Sequence, residues 1–191
     1  MSQDIAQTDV HQIRGSGKTN DSALIVRLAD SEREIDAAQA LRYRVFYENM
    51  GAMPSQEVRN LERDFDAFDP ICDHLLIIDR SGGAGSLKVV VTYRLMRAGR
   101  AKAALGFYSD SEFDLSPLRN YPGEHLELGR SCVDPDYRSR FVLQLLWKGI
   151  SDYLIANDIS LMFGCASFPG TNLDDMAHAL SMLHHNHRAS D

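Results

Sequence analysis

One block restricts what this chain can fold into more than any other: HLELGRSCV (His125 to Val133), the turn DPDYRSR, a long helical stretch and then ISLMFGCAS. Between Ser139 and Asn157, Val142, Leu145, Leu146, Ile150, Tyr153 and Leu154 recur at helical spacing and form one apolar stripe. A strand, a turn, an amphipathic helix and a second strand must bury that stripe against a sheet. The block therefore dictates a mixed α/β or α+β layer.

The segments on either side agree. LIVRLA (Leu24 to Ala29) reads as a first strand. Ser31 with Glu34 three residues on has the pattern of a capping box. It would open a helix to about Met50, carrying Ile35, Ala38, Leu41, Val45 and Phe46 near one face and ended by Gly51. PSQEVRNLERDFDAFDP is acidic and predicts a short helix followed by a loop. HLLIID (His74 to Asp79) and KVVVTYRLM (Lys88 to Met96) flank the turn SGGAG and predict a hairpin. GFYSDSEFDLSPL predicts a short helix or turn, and Asn172 or Asp174 would cap a last helix through His184.

At 191 residues the chain suits a single domain with its own core. The net charge of −7 argues against a nucleic-acid binder that works through phosphates. Cys72, Cys132 and Cys165 are odd in number and widely spaced, which speaks against a disulfide framework or zinc site and for a reducing, cytoplasmic setting. No apolar run has membrane-spanning length. Residues 1–22 are polar and turn-rich and read as a flexible tail. His184, His185 and His187 fall at a helix end, where cations suit the dipole, and no metal site is expected there.

Two groups of residues suggest chemistry. The first is the turn before the long helix. A helix N-terminus binds anions, and Arg138 and Arg140 reinforce it. Pro135, Tyr137 and Arg138 resemble the pyrophosphate loop of the N-acetyltransferase superfamily, roughly P-x-Y-R-x-x-G-x-G, but Phe141 and Leu143 stand where its glycines fall. Bulky side chains there obstruct close backbone approach to a diphosphate, so the donor is expected to present a single phosphate, as a protein-tethered phosphopantetheine does. An ordinary strand-to-helix turn with exposed arginines is the plain alternative.

The second group is spread along the first half and the central strand: Arg42 and Phe46 on one helix face, Asp66 and Asp69, Arg94, then Glu127 and Arg130 in ELGR. In a regular strand Glu127 and Arg130 would point to opposite sides unless a bulge redirects one. Asp66 and Asp69 could equally be a solvated acidic loop, Arg94 either a ligand contact or a partner for one of them, and Arg42 a surface ion pair. Cys132 reads as a packed thiol, and Trp147 as core or the wall of an acyl tunnel.

The order of these residues resembles the acyl-homoserine-lactone synthases, although Met53 stands near the place where that family usually has a Trp. The stretches RYRVF, DFDAFDPICDHLLI, ELGRSCVDPDYRSR, LLWKGI, FGCASFPGT and LSMLHHNH are more similar to the bacterial ornithine N-acyltransferases, from about residue 40 to 187.

That resemblance implies a mixed, centrally splayed N-acetyltransferase-like sheet flanked by helices. It implies an enzyme that moves a 3-hydroxy fatty acyl group from acyl carrier protein to the α-amine of ornithine, giving lyso-ornithine lipid. Glu127 and Arg130 would be catalytic; Arg42, Phe46, Asp66, Asp69 and Arg94 would hold the amino acid; Ser131, Cys132, Val133, Arg138, Ser139 and Arg140 would meet the donor. The co-substrate would be the phosphopantetheine thioester of acyl carrier protein, with no bound cofactor. The family's sheet continues beyond the helix matched by HALSMLHHNH, so residues 23–191 read as a domain that is C-terminally incomplete, with an exposed edge open to self-association. A lipid product implies peripheral contact with the inner membrane face. The rivals are a lactone-type signal synthase and a non-catalytic carrier-protein or lipid-binding remnant.

Overall fold

The computed structural model describes residues 23–83, 85–168 and 170–189; the expected tail over residues 1–22 lies outside them. The described residues form one five-stranded sheet in chain order, β1 (Leu24–Leu28), β2 (Asp73–Asp79), β3 (Lys88–Arg97), β4 (Glu124–Val133) and β5 (Ile159–Phe163). The first four run antiparallel to their neighbours, and β5 joins β4 in parallel. The parallel pairing lasts only from Glu124 to Glu127 on β4. Beyond it no described strand pairs with β4 on that side, so the sheet splays between its last two strands.

Side-chain alternation divides the core between the two faces. Leu24, Val26, Leu75 and Ile77 pack against Val142, Leu145, Leu146 and Ile150 of α5 (Arg140–Ala156). Leu76, Ile78 and Val89 turn the other way, onto Ala38, Leu41 and Val45 of the first helix. Each large aliphatic side chain so buried contributes about 1.5–3 kcal/mol relative to exposure. Helix α5 can lie this close because Gly149 has no Cβ: one built there would sit 2.5 Å from Val26 Cγ2. Trp147 is 45% exposed and so is not part of the core.

The first helix is α only as α1 (Glu32–Tyr43); from Arg44 to Asn49 it widens into a π-helix, with Met50 N–H donating to Val45 O at 3.0 Å. Gly51 follows with φ of +76°, the left-handed geometry that glycine adopts freely. The expected capping box does not form. Ser31 occupies the N-cap without a side-chain bond, and Glu34 instead accepts from Asp30 N–H and pairs with Arg27. Glu34 is taken by a stronger, charged partner.

Short helices α2 (Gln56–Leu61), α3 (Ala98–Ala103) and α4 (Ser116–Arg119) connect the strands, with 3-10 turns at Asp69–Ile71, Tyr108–Ser111 and Pro135–Tyr137. Asn172 caps α6 (Leu173–His187) by accepting from Asp174 N–H. This helix has no buried residue and leaves Leu173, Leu180, Met182 and Leu183 exposed. Among the described residues, no helix is long and apolar enough to cross a membrane.

Candidate active site

The splay opens a cavity of about 660 Å³. Strand β4 supplies one wall through Glu127, Gly129, Arg130 and Ser131, and the segment after β5 supplies Cys165 and Ser167. The π-helix contributes Phe46, Tyr47 and Met50. π turns concentrate at functional sites because the wider turn redirects side chains that an α-helix would stack elsewhere.

A bulge in β4 settles how Glu127 and Arg130 share the cavity. Thr92 pairs with Cys132 but Arg94 pairs with Gly129, so β4 carries one extra residue between them. Arg130 sits in that bulge with φ of +52°, a left-handed conformation that only a few per cent of non-glycine residues adopt. The extra residue offsets the alternation that would otherwise turn Arg130 to the opposite face.

Glu127 is 5% exposed. Its carboxylate accepts from Tyr108 N–H at 2.8 Å, Ser109 N–H at 2.7 Å and Ser109 Oγ at 2.5 Å. The Ser109 hydroxyl also meets Cys165 Sγ at 3.2 Å. These bonds clamp the carboxylate in one orientation at the cavity wall.

A network of three arginines and three aspartates runs from this wall into the interior behind it. Arg42 is fully buried; its Nε donates to Asp64 Oδ2 at 2.8 Å and its Nη2 to Asp69 Oδ1 at 2.8 Å. Arg94 donates to Asp66 Oδ1 at 2.6 Å and lies 3.7 Å from Asp69 Oδ1. Burial alone would raise the Asp66 carboxyl, but the Arg94 guanidinium outweighs it and holds Asp66 below the usual range. Asp64 is 2% exposed and also accepts from Tyr47 Oη at 2.8 Å. Burial, then that hydrogen bond, push the Tyr47 phenol up to about 12.

The residues singled out in the sequence thus separate into two shells. Phe46, Arg94, Glu127, Arg130 and Ser131 line the cavity, whereas Arg42 and Asp69 are buried behind it and hold its wall. Asp66 bridges Arg94 and Arg130 and is neither a solvated loop residue nor fully enclosed. The Cys132 side chain packs against α1, its thiol pushed up to about 12 by burial. Asp64 and Tyr47 are the members that sequence reasoning missed. The only signal available was Asp64 two residues before Asp66 in RDFDAFD, and Tyr47 carried none.

At the start of α5, Ser139 Oγ accepts from Val142 N–H at 3.2 Å and Ser139 O from Leu143 N–H at 3.1 Å. Of the amides that the helix leaves free at its N-terminus, that of Val142 is therefore already occupied, whereas the Leu143 bond is the first ordinary turn of the helix. Arg138 and Arg140 are exposed beside them. Tyr137 fixes the turn by donating to Asp79 Oδ2 at 2.5 Å and accepting from Lys88 Nζ at 2.8 Å.

A mixed sheet that splays between β4 and β5, with a bulged β4 beside a charged cavity, defines an acyltransferase-like fold of the N-acetyltransferase class. The chain belongs to the Acetyltransferase (GNAT) domain family, whose model matches residues 41–148.

The curated relatives are named L-ornithine N(alpha)-acyltransferase. Those of Agrobacterium fabrum and Rhizobium meliloti are 51% and 50% identical over 85% and 88% of this chain. The matches cover 57% and 58% of those proteins, so the chain spans less than two thirds of their length. Two solved structures share the fold at 16% identity. FeeM, an N-acyl amino acid synthase from uncultured soil microbes, superposes with a TM-score of 0.56 over 84% of this chain and 77% of its own. The AHL synthase LasI does so with 0.51 over 74% and 71%.

Proposed function

We propose that the chain carries the acyl-transfer site of an enzyme that moves a fatty acyl group from a carrier thioester to the α-amine of L-ornithine. The observation that carries this reading is the cavity at the splay, which sets the clamped carboxylate of Glu127 and the guanidinium of Arg130 on one wall, in a chain about half identical to proteins of that name.

In this reading the ornithine α-amine enters as a cation and loses a proton to Glu127, directly or through one water. The neutral nitrogen attacks the thioester carbonyl. Backbone N–H groups from Ser131, at the bulge, to Val133, just beyond it, would stabilise the charge that develops on oxygen. The C–N bond forms, the C–S bond breaks and the sulfur leaves as a thiol after taking up a proton. No covalent enzyme intermediate is needed, which fits a Cys132 that is buried and protonated.

The donor is an acyl group on acyl carrier protein. With the Val142 amide capped by Ser139 and Phe141 and Leu143 in place of glycines, the turn suits one phosphate better than a diphosphate. Arg138, Ser139 and Arg140 would meet that phosphate or the acidic carrier. Arg42 and Asp69 act from behind the wall and keep Arg94 and Asp66 in place.

The test uses purified chain, 3-hydroxyacyl carrier protein and a panel of amino acids, with thiol release and product mass followed together. Ornithine-dependent release of one thiol per N-acylornithine is expected. Glu127→Gln should lower kcat by about 10²–10⁴-fold while the donor KM stays. Consumption of S-adenosylmethionine would favour a lactone-type synthase. Carrier binding without turnover, unaffected by Glu127→Gln, would reject catalysis.

A further inference from the structure

The three arginines of the network differ in what they leave unused. Arg42 is fully buried and Arg94 is 4% exposed with a 2.6 Å bond to Asp66. The Arg130 side chain is 33% exposed at the cavity wall, and both of its carboxylate contacts are long. Its Nη2 lies 3.4 Å from Asp66 Oδ2, and its Nε lies 3.5 Å from Asp64 Oδ2 without forming a hydrogen bond. Each aspartate is held more tightly elsewhere, Asp64 by Arg42 and Tyr47, Asp66 by Arg94 and Phe68 N–H.

A guanidinium has five N–H donors in a fork that matches a carboxylate. Arg130 spends one of them on a single long bond. The Tyr108 ring lies 5.9 Å from its Cζ and restrains the group without consuming a donor. A left-handed backbone at a non-glycine residue persists only where the surroundings demand it, and such residues cluster at ligand sites.

We infer that Arg130 is the subsite for the acceptor's α-carboxylate, and that it makes the enzyme select α-amino acids over simple amines. The inference rests on the acyl-transfer reading and deepens it. Arg130 fixes the carboxylate, which leaves the adjacent α-amine to Glu127 on the same wall. A bond-matched site rejects an analogue that lacks the matching group, because its own polar groups are then left unpaired.

The test compares each accepted L-amino acid with its decarboxylated amine, ornithine with 1,4-diaminobutane first. In the native chain kcat/KM should favour the amino acid by roughly 100-fold, the size expected for one charge-assisted pair. R130M should remove most of that preference through the acceptor KM, with the donor KM unchanged. R130K, which keeps the charge but loses the fork, should fall between. Full preference in R130M, or none in the native chain, would overturn the inference. If circular dichroism shows R130M unfolded, R130K and calorimetric binding of ornithine against diaminobutane to the native chain decide, and equal affinities overturn it. Selection of another amino acid with the carboxylate preference intact would reject ornithine alone and leave the subsite standing.

Discussion

Arg42 shows at the residue scale why burial and function must be argued separately. A guanidinium with no exposed surface is tolerable only when carboxylates neutralise it, and Asp64 and Asp69 do so at 2.8 Å. Removing one partner of a buried ion pair costs about 3–5 kcal/mol, because the other is left uncompensated. Arg42→Met should therefore lower the melting temperature by about 10 °C in a calorimetric scan, at about 2–4 °C per kcal/mol for a chain of this size. A shift under about 2 °C would mean that Arg94 and Arg130 take over the aspartates. Sequence spacing brought Arg42 forward as a candidate but could not tell an anchor behind the wall from a group on it.

At the element scale the site depends on how closely α5 and the strand ends approach one another. A Cβ at Gly149 would stand 2.5 Å from Val26 Cγ2 and 3.2 Å from Leu75 Cδ1, and the β-branched valine cannot turn aside. Gly149→Ala should destabilise by about 1–3 kcal/mol despite alanine's better helix propensity. The same change made in a Val26→Ala background should cost less, and urea melts of the four proteins would measure the difference. Equal costs in both backgrounds would show that the clash is relieved elsewhere. The apolar periodicities of α1 and α5 and the β2–β3 hairpin were legible from sequence because each is a local pattern. The π-helix and the β4 bulge were not. A single inserted residue changes which side a side chain faces without altering composition or period.

For the whole molecule, acid should remove stability in two stages. His74 is buried, and burial lowers its imidazole; the Asp69 carbonyl, which accepts from its Nε2 at 3.0 Å, offsets this only in part. The unfolded chain then takes up a proton that the folded one refuses. Stability is complete above the ordinary histidine value, about 6.5, and falls as pH drops through the lower folded value. Three carboxylates act further down. For Asp66 and Asp79 burial raises the carboxyl, but it is outweighed at Asp66 by Arg94 with its neighbours and at Asp79 by the Tyr137 hydroxyl together with Ser81 and Lys88; for Glu34 the bond from Arg27 lowers it first. Their contributions are present above about pH 4 and lost below it. Urea melts across this range should show a shallow decline beginning below about pH 6.5 and a steep one below about pH 4. His74→Gln should flatten the first and leave the second.

The sequence by itself determined most of the elements, because periodicity and turn chemistry act over a few neighbours, and its resemblance to known acyltransferases brought forward the residues around which the site forms. Tertiary structure alone decided which charges face the cavity and which hold it from behind. Arg42 finds Asp64 across 22 residues and Arg130 finds Asp66 across 64. The strength of such pairs depends on distance and burial, and neither exists until the sheet has folded and splayed.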